Sequence, residues 1–568
     1  MPQNQPAIPL IRETKAKLRQ DLLQALERAR ERGALPDFAT PGFTLEPPKD
    51  KSFGDLATNL ALAAAKAAGM PPRDVARAVV DNFAPAPPVA RVEIAGPGFL
   101  NLYLDQSWRR RAVAEALRLG GEYGRTADLA GRRIQIEFVS ANPTGPLNVV
   151  NARAGAMGDA LANLMQWAGA EVEREYYVND HGVQVWTLGR SVEVLCRRLR
   201  GEEVEFPADG YHGEYVQDLA AEFLAGAPQG FWDKGEEERI EACRDFALAR
   251  IVAGQKAALE SYGVRYDRWF SEHHDLHATG AVERVFADLV RAGRTYEAEG
   301  AVWLRTTDYG DDKDRVLRTG DGRTTYLTAD IAYHLDKFAR GYDTVIDIWG
   351  PDHHGHIGRM KAALAAAGAD PGRLEILIAQ QINLLRAGEP VKMSKRAGDF
   401  VSMRELLAEV GNDAARFFFL MRSAESHLDF DLALAVARSN DNPVYYIQYA
   451  HARVASILRQ AEAQGVPVET ASDACPEGFE MNAEELDLAD RVALFPEVAA
   501  EAAAKREPHR LTSYLLDLAG AFHGFYNRHR VLGGEADQTA ARLALARAVR
   551  IVIGNGLRLL GVNAPDKM

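Results

Sequence analysis

The stretch from Arg132 to Ala168 constrains this chain more than any other. Arg133-Ile-Gln-Ile-Glu-Phe-Val139 alternates like a strand, Ser140-Ala-Asn-Pro-Thr-Gly-Pro146 breaks the run, and a long helical segment containing Ala152 to Ala168 follows. Strand, turn and helix in that order begin a βαβ unit, which requires a parallel sheet with helices packed on its faces. Further strands are expected at residues 301–305, 343–349 and 375–385, separated by helical stretches. An acidic, mostly helical region from about 185 to 265 interrupts the pattern, so the sheet has to be built from two distant halves.

A chain of 568 residues is too long for one core, and three or four domains are expected. Residues 9–32 have helical periodicity and 55–69 form an alanine-rich helical run. Residues 89–104 read as two strands joined by Gly96-Pro97-Gly98, which completes a small α+β domain. After about residue 404 the pattern is helical to the end, apart from a loop near 466–480. The expected division is 1–110, 111–403 and 404–568.

The net charge of −13 excludes a generally basic nucleic-acid binder, so any RNA contact has to be local. Basic clusters at Arg109–Arg111, Arg197–Arg200 and Arg528–Arg530 can supply such strips. No segment approaches the roughly 20 apolar residues of a membrane span, and the Pro-Gln-Asn-Gln start lacks the features of a signal peptide, so a cytoplasmic protein is expected. Cys196, Cys243 and Cys475 lie far apart without CxxC spacing, which argues against a zinc ribbon or a disulfide framework.

Two segments carry chemistry. The turn before Val149 joins the carboxyl end of a sheet strand to a helix start, where free N–H groups and the helix dipole favour phosphate. The hexapeptide Val391-Lys392-Met393-Ser394-Lys395-Arg396 gathers cations in one short loop, suited to following charge as a pyrophosphate departs. Its bland reading is a solvated basic turn. His353, His354 and His356 share one turn, where structural or substrate contacts are a better reading than a metal site. Tyr326 and Asp330 stand four apart, on one helical face, and a carboxylate there suits a guanidinium ligand, although an ordinary amphipathic helix has the same spacing.

The hexapeptide resembles the KMSKS signature of class I aminoacyl-tRNA synthetases. The runs Glu137-Phe-Val-Ser-Ala-Asn142-Pro-Thr-Gly-Pro, Glu175-Tyr-Tyr-Val-Asn-Asp180 and Tyr326-Leu-Thr-Ala-Asp330-Ile-Ala-Tyr-His-Leu-Asp336 resemble blocks of the arginyl-tRNA synthetase family, and the likeness covers nearly the whole chain. It implies a Rossmann-type catalytic core with a helical insertion, a small N-terminal domain that touches the tRNA D-loop, and an all-α anticodon-binding bundle. ATP, with Mg²⁺, and L-arginine would be substrates alongside the tRNA for arginine. No tightly bound cofactor, zinc or other metal, membrane or DNA is implied, and a monomer is expected.

Carried over residue by residue, Glu137, Tyr326 and Asp330 would hold the arginine side chain, Ser140 and Asn142 would face its main-chain groups, and Asp352 would meet its ammonium. Pro146, Asn148, Val150, Asn151, Met393, Ser394 and Lys395 would surround ATP, with Asn148, Asn151, Lys392 and Lys395 as the catalytic donors. Asn101 and Gln106 would contact the D-loop. Tyr445, Tyr446, Tyr449, Phe525, Tyr526 and Arg530 are available to stack on unpaired anticodon bases, with Tyr449, Tyr526 and Arg530 the expected contacts. The resemblance also implies that activation waits for tRNA.

One departure stands out. The family's His-x-Gly-His is replaced by Asn148-Val149-Val150-Asn151, while His356-Ile357-Gly358-Arg359, which spells most of it, lies too close to the lysine loop to be the first-strand turn. Asparagine still offers an N–H donor, whereas Val150 puts a branched side chain where the family has none. Gly145 occupies the place where family members lacking the lysine loop have a lysine, consistent with Lys392 and Lys395 being present. Two alternatives remain open: a tRNA-binding paralogue without ATP turnover, and another nucleotidyltransferase on the same sheet.

Overall fold

The computed structural model describes residues 8–48, 50–391, 401–468, 476 and 479–568. At its centre five parallel strands lie in the spatial order Leu374–Ile378, Thr344–Trp349, Arg133–Glu137, Glu171–Val178, Arg268–Ser271. Numbered along the chain this is the doubly wound order 3-2-1-4-5 read from its far edge, and the winding reverses between Arg133–Glu137 and Thr344–Trp349. Loops leave in opposite directions there, so a crevice opens at the carboxyl ends of these two strands. The helix Val149–Trp167 follows the first strand and is buried along most of its length, as a crossover helix between two layers has to be.

Three helices, Val183–Leu199, Glu214–Gly226 and Glu236–Ser261, stand between the second and third strands and enclose their own apolar core. Cys196 and Cys243 lie buried beside each other in that core, although 47 positions separate them; Cys475 lies outside the described residues.

Four secondary-structure expectations need correction, the fourth of them in the N-terminal domain. Ala301–Leu304 is a strand, but it pairs antiparallel with Thr295–Ala298 and Arg315–Arg318 in a separate small sheet. The expected strand at 375–385 is two strands: Leu374–Ile378 joins the central sheet, while Ile382–Arg386 pairs with Glu389–Pro390 and with Leu428–Asp431. The last of these breaks the otherwise helical pattern beyond residue 404. In the first two cases a local β pattern states that a strand exists without stating its partner.

The N-terminal domain is a four-stranded antiparallel sheet, Leu45–Glu46, Leu56–Thr58, Phe99–Leu104 and Val89–Ala95, covered by the helices Leu10–Glu31, Leu60–Ala68 and Pro72–Asn82. Part of the run expected to be helical at 55–69 is therefore strand. The C-terminal helices Pro443–Ala463, Ala483–Lys505, His509–Arg528 and Ala536–Leu559 share one continuous apolar core with the central sheet. The helix Gln106–Leu119 packs on this bundle, where Arg109 is buried between Asp55 and Asp490. Among the described residues no helix is long and apolar enough to cross a membrane.

Candidate active site

After Glu137 the backbone turns sharply, with Val139 at φ 70° and Ser140 at φ 38°, a left-handed conformation that L side chains adopt only under constraint. The constraint comes from the surroundings. Tyr266 donates its hydroxyl to the Phe138 carbonyl at 3.0 Å, Tyr215 donates to Thr144 at 2.6 Å, and Gln255 donates to the carbonyls of Asn142 at 3.2 Å and Gly145 at 3.0 Å. Tyr215 and Gln255 belong to the inserted helices, so the insertion positions this turn.

The turn ends in a capping box. Asn148 Oδ1 accepts from the backbone N–H groups of Val150 at 2.9 Å and Asn151 at 3.1 Å, and Asn151 Oδ1 accepts from the Asn148 N–H at 2.9 Å. This corrects the expectation of a helix start with free backbone donors, because the N–H groups of Asn148, Val150 and Asn151 are all consumed internally. Among the described residues the two side-chain NH₂ groups have no partner, so they are donors left for a ligand. Pro146 is exposed and Val150 half-buried. Asn148 also forms an antiparallel bridge with Ser402, and Met403 N–H donates to the Leu147 carbonyl at 2.9 Å, which ties this turn to the far end of the lysine-loop segment. Lys392, Met393, Ser394 and Lys395 themselves lie outside the described residues.

A cavity of about 1260 Å³ opens at the crevice, and Glu137, Ser140, Asn142, Tyr326, Asp330 and Asp352 all line it. None of Pro146, Asn148, Val150 and Asn151 does. Tyr326, 67% exposed, opens the helix Tyr326–Ala339, and its hydroxyl accepts from Arg359 Nη1 at 3.3 Å. One turn further on, Asp330 Oδ2 lies 3.4 Å from His356 Nε2. Asp352 is exposed and lies 3.3 Å from His353. Asn142 donates to Gln184 Oε1 at 3.0 Å, while Ser140 Oγ donates to Glu137 Oε1 at 2.8 Å and accepts from the Tyr177 N–H at 3.1 Å. His181 and His277 stack with ring centroids 3.7 Å apart at the mouth; burial, then His277 and His273, holds His181 below the usual imidazole range.

Glu137 is not a free carboxylate. It is 8% exposed, and its Oε2 accepts from Lys337 Nζ at 2.5 Å. Burial pushes the Glu137 carboxyl upward and Lys337 opposes that push. The sequence reading missed Lys337 and its second partner Asp347. The available signal was the face begun by Tyr326 and Asp330, which continues through Tyr333, His334 and Lys337 at helical spacing.

The residues chosen for tRNA divide. Asn101 is 3% exposed within the N-terminal sheet, and Gln106 is occupied by both backbone groups of Met481, at 2.9 Å to its N–H and 3.5 Å to its carbonyl. Neither presents a free polar side chain, because neighbouring elements cover them. Tyr449 and Tyr526 come together on the C-terminal bundle, with the Arg453 guanidinium 4.5 Å from one ring centroid and 4.7 Å from the other. Tyr445 stacks on Tyr449 with centroids 6.1 Å apart, and Arg530 is exposed. Phe525 is core, at 1% exposure.

A doubly wound sheet with its crevice at the reversal point, followed by a helical bundle, defines the class: residues 112–419 match the model of the class I (R) tRNA synthetase catalytic domain. Residues 16–104 match the arginyl-tRNA synthetase N-terminal domain and residues 447–568 the DALR anticodon-binding domain. The chain belongs to the arginyl-tRNA synthetase family. It is 48% identical over 561 residues to an arginine–tRNA ligase of Syntrophotalea carbinolica, covering 98% of this chain and 100% of that one. It is 49% identical over 526 residues to that of Carboxydothermus hydrogenoformans, covering 93% and 94%. The arginyl-tRNA synthetase structure of Thermus thermophilus superposes with a TM-score of 0.71 over 97% of this chain and 100% of that one, at 24% identity, a likeness of fold.

Proposed function

We propose that this arginine–tRNA ligase acts as a cytoplasmic monomer and holds its arginine in the crevice of the central sheet. The observation that carries this is the cavity at the reversal point of the sheet, where carboxylates from three separate segments, Glu137, Asp330 and Asp352, surround space sized for an amino acid and part of a nucleotide. Asp330 and Glu137 take the guanidinium, Ser140 and Asn142 meet the substrate's main chain, and Asp352 takes its ammonium. The arginine carboxylate then attacks the α-phosphorus of Mg²⁺-bound ATP in line, pyrophosphate leaves, and arginyl-adenylate forms. The side-chain NH₂ groups of Asn148 and Asn151, with Lys392 and Lys395, stabilise charge on the phosphates. The 2′-hydroxyl of the terminal tRNA adenosine next attacks the activated carbonyl, and AMP leaves. In the proposed division, 1–110 docks on the D-loop, 111–403 performs the chemistry, and 404–568 binds the anticodon, with Tyr449, Tyr526 and Arg530 on the recognising face.

The capping box favours one second reading. Because Asn148 and Asn151 spend their oxygens on three backbone donors of the helix start, a tRNA-binding paralogue without ATP turnover has a structural basis. Arginine-dependent ATP–pyrophosphate exchange, measured with and without the tRNA for arginine, decides between them. Exchange that appears with that tRNA is expected; none under either condition leaves the paralogue.

A further inference from the structure

Glu137 closes its strand with Asp347 as its register partner on one side and Glu175 on the other. Three carboxylates thus stand in one row across three adjacent parallel strands, roughly 4.8 Å apart at strand spacing, an arrangement that like charges disfavour. The helix Tyr326–Ala339 lies over the row and answers it. Lys337, fully buried, donates to Glu137 Oε2 at 2.5 Å and to Asp347 Oδ1 at 2.8 Å. His334 Nε2 lies 2.8 Å from the other Asp347 oxygen, and its Nδ1 lies 2.7 Å from the Asp330 carbonyl. Glu175 is held by the Tyr333 hydroxyl at 2.7 Å, by Arg340, and by Arg268 at 3.7 Å. Glu137, Glu175 and Asp347 are therefore matched by Lys337, Arg340 and Arg268 before any substrate arrives.

We propose that Lys337 is a positioning residue for arginine recognition: it ties down Oε2 of Glu137 and keeps that carboxylate ionised, so that Oε1, which also accepts from Ser140 Oγ, keeps a lone pair for the guanidinium. The proposal rests on the reading of Glu137 as an arginine contact. Burial of a carboxylate favours its neutral form, and a neutral carboxyl places an O–H where the guanidinium needs an acceptor. The groups around Glu137 are Asp347 and Glu175 on the flanking strands, Lys337, His334, Tyr333 and Asp330 on the helix, and Ser140, Tyr177 and Glu272 at the cavity. Among the described residues Lys337 is the one cation that bonds to Glu137. Burial works against the Lys337 ammonium, but Asp347 and Glu137 outweigh it and hold its pKa above the usual lysine value. Lys337 is thus present as a fixed cation through the neutral range.

The test is steady-state aminoacylation by the full chain from pH 6 to 9, reading KM for arginine separately from KM for ATP and tRNA. Lys337→Met is expected to raise the arginine KM at least tenfold near pH 7, with the ATP KM within twofold of wild type. The defect should shrink as pH rises, because Glu137 then ionises without help. Removing the second carboxylate as well, in K337M/D347N, is expected to recover part of the loss, whereas damage to the fold would add. If K337M does not fold, the same pH slope is read from Lys337→Gln, and Lys337→Arg should abolish the slope. An arginine KM that moves less than threefold, or that rises equally at every pH in step with the ATP KM, overturns the proposal. Glu137→Gln separates the two ideas. An unchanged arginine KM there removes Glu137 as a contact and the role of Lys337 with it, while a raised KM alongside a normal K337M removes only the role of Lys337.

Discussion

Asn148→Asp separates two jobs that fall on one side chain. Its Oδ1 accepts from two backbone N–H groups at 2.9 and 3.1 Å, and aspartate keeps an oxygen in that place. The cap survives, and the new charge at a helix N-terminus adds about 0.3–1 kcal/mol of stability. The other terminal atom changes from an NH₂ donor to an anionic oxygen. If that NH₂ meets the ATP phosphates, its loss alone costs about 10²- to 10³-fold in rate. Two unit charges about 4 Å apart at an effective dielectric near 20 repel by about 4 kcal/mol, which bound Mg²⁺ reduces but does not cancel. The expected result is a fall of at least about 10³-fold in tRNA-dependent ATP–pyrophosphate exchange, with equal or slightly higher resistance to urea. Asn148→Ala is the control: it loses cap and donor together, so it should show both the rate defect and a destabilisation of about 1 kcal/mol. Exchange by N148D within threefold of wild type, at an unchanged ATP KM, would refute the donor role and leave Asn148 as a helix cap only.

Other perturbations reach different parts of the molecule. Asp330→Asn should raise the arginine KM about 30-fold or more, the cost of truncating one partner of a desolvated ion pair, and leave the ATP KM within twofold in the same assay. Arg453→Ala removes the cation that lies 4.5 and 4.7 Å over Tyr449 and Tyr526, so the tRNA KM should rise about tenfold, the worth of one stacked base, at unchanged kcat; an unchanged tRNA KM would exclude this face. Burial, and secondarily Arg453, holds His523 below its ordinary value of 6.5, although its bond to the Tyr446 carbonyl works the other way. The unfolded chain therefore binds the proton first as pH falls, so stability that is fully present above about 6.5 declines below it. Hydrogen exchange across His509–Arg528 should accelerate as pH falls from 7 to 5.5 relative to intrinsic rates, and His523→Gln should flatten that trend.

Much of the frame was legible in the residues. The alternation through Arg133–Glu137, the breaker Pro143-Thr-Gly-Pro146 and the helical run that follows it are local signals, and local hydrogen bonding and side-chain period suffice to set a strand, a turn and a helix start. The four-residue spacing that placed Tyr326 and Asp330 on one side of a helix is of the same kind, and both line the cavity. Failures came where a partner had to be known. Ala301–Leu304 has a strand's pattern but joins a different sheet. The position of Asn148 was plain, yet the use of its oxygen for capping, which decides how many donors remain for phosphate, appeared only with the fold.

What the chain alone determined, then, is its elements, their order and, through its family blocks, the chemistry they serve. Tertiary structure decided the row formed by Asp347, Glu137 and Glu175 and the insertion of Lys337 into it. Glu137, Glu175 and Asp347 lie far apart along the chain and become neighbours because three parallel strands settle in one register, with the helix Tyr326–Ala339, which carries Lys337, packed across them. That register follows from burying both faces of the whole sheet at once, a global balance that no local window of residues contains.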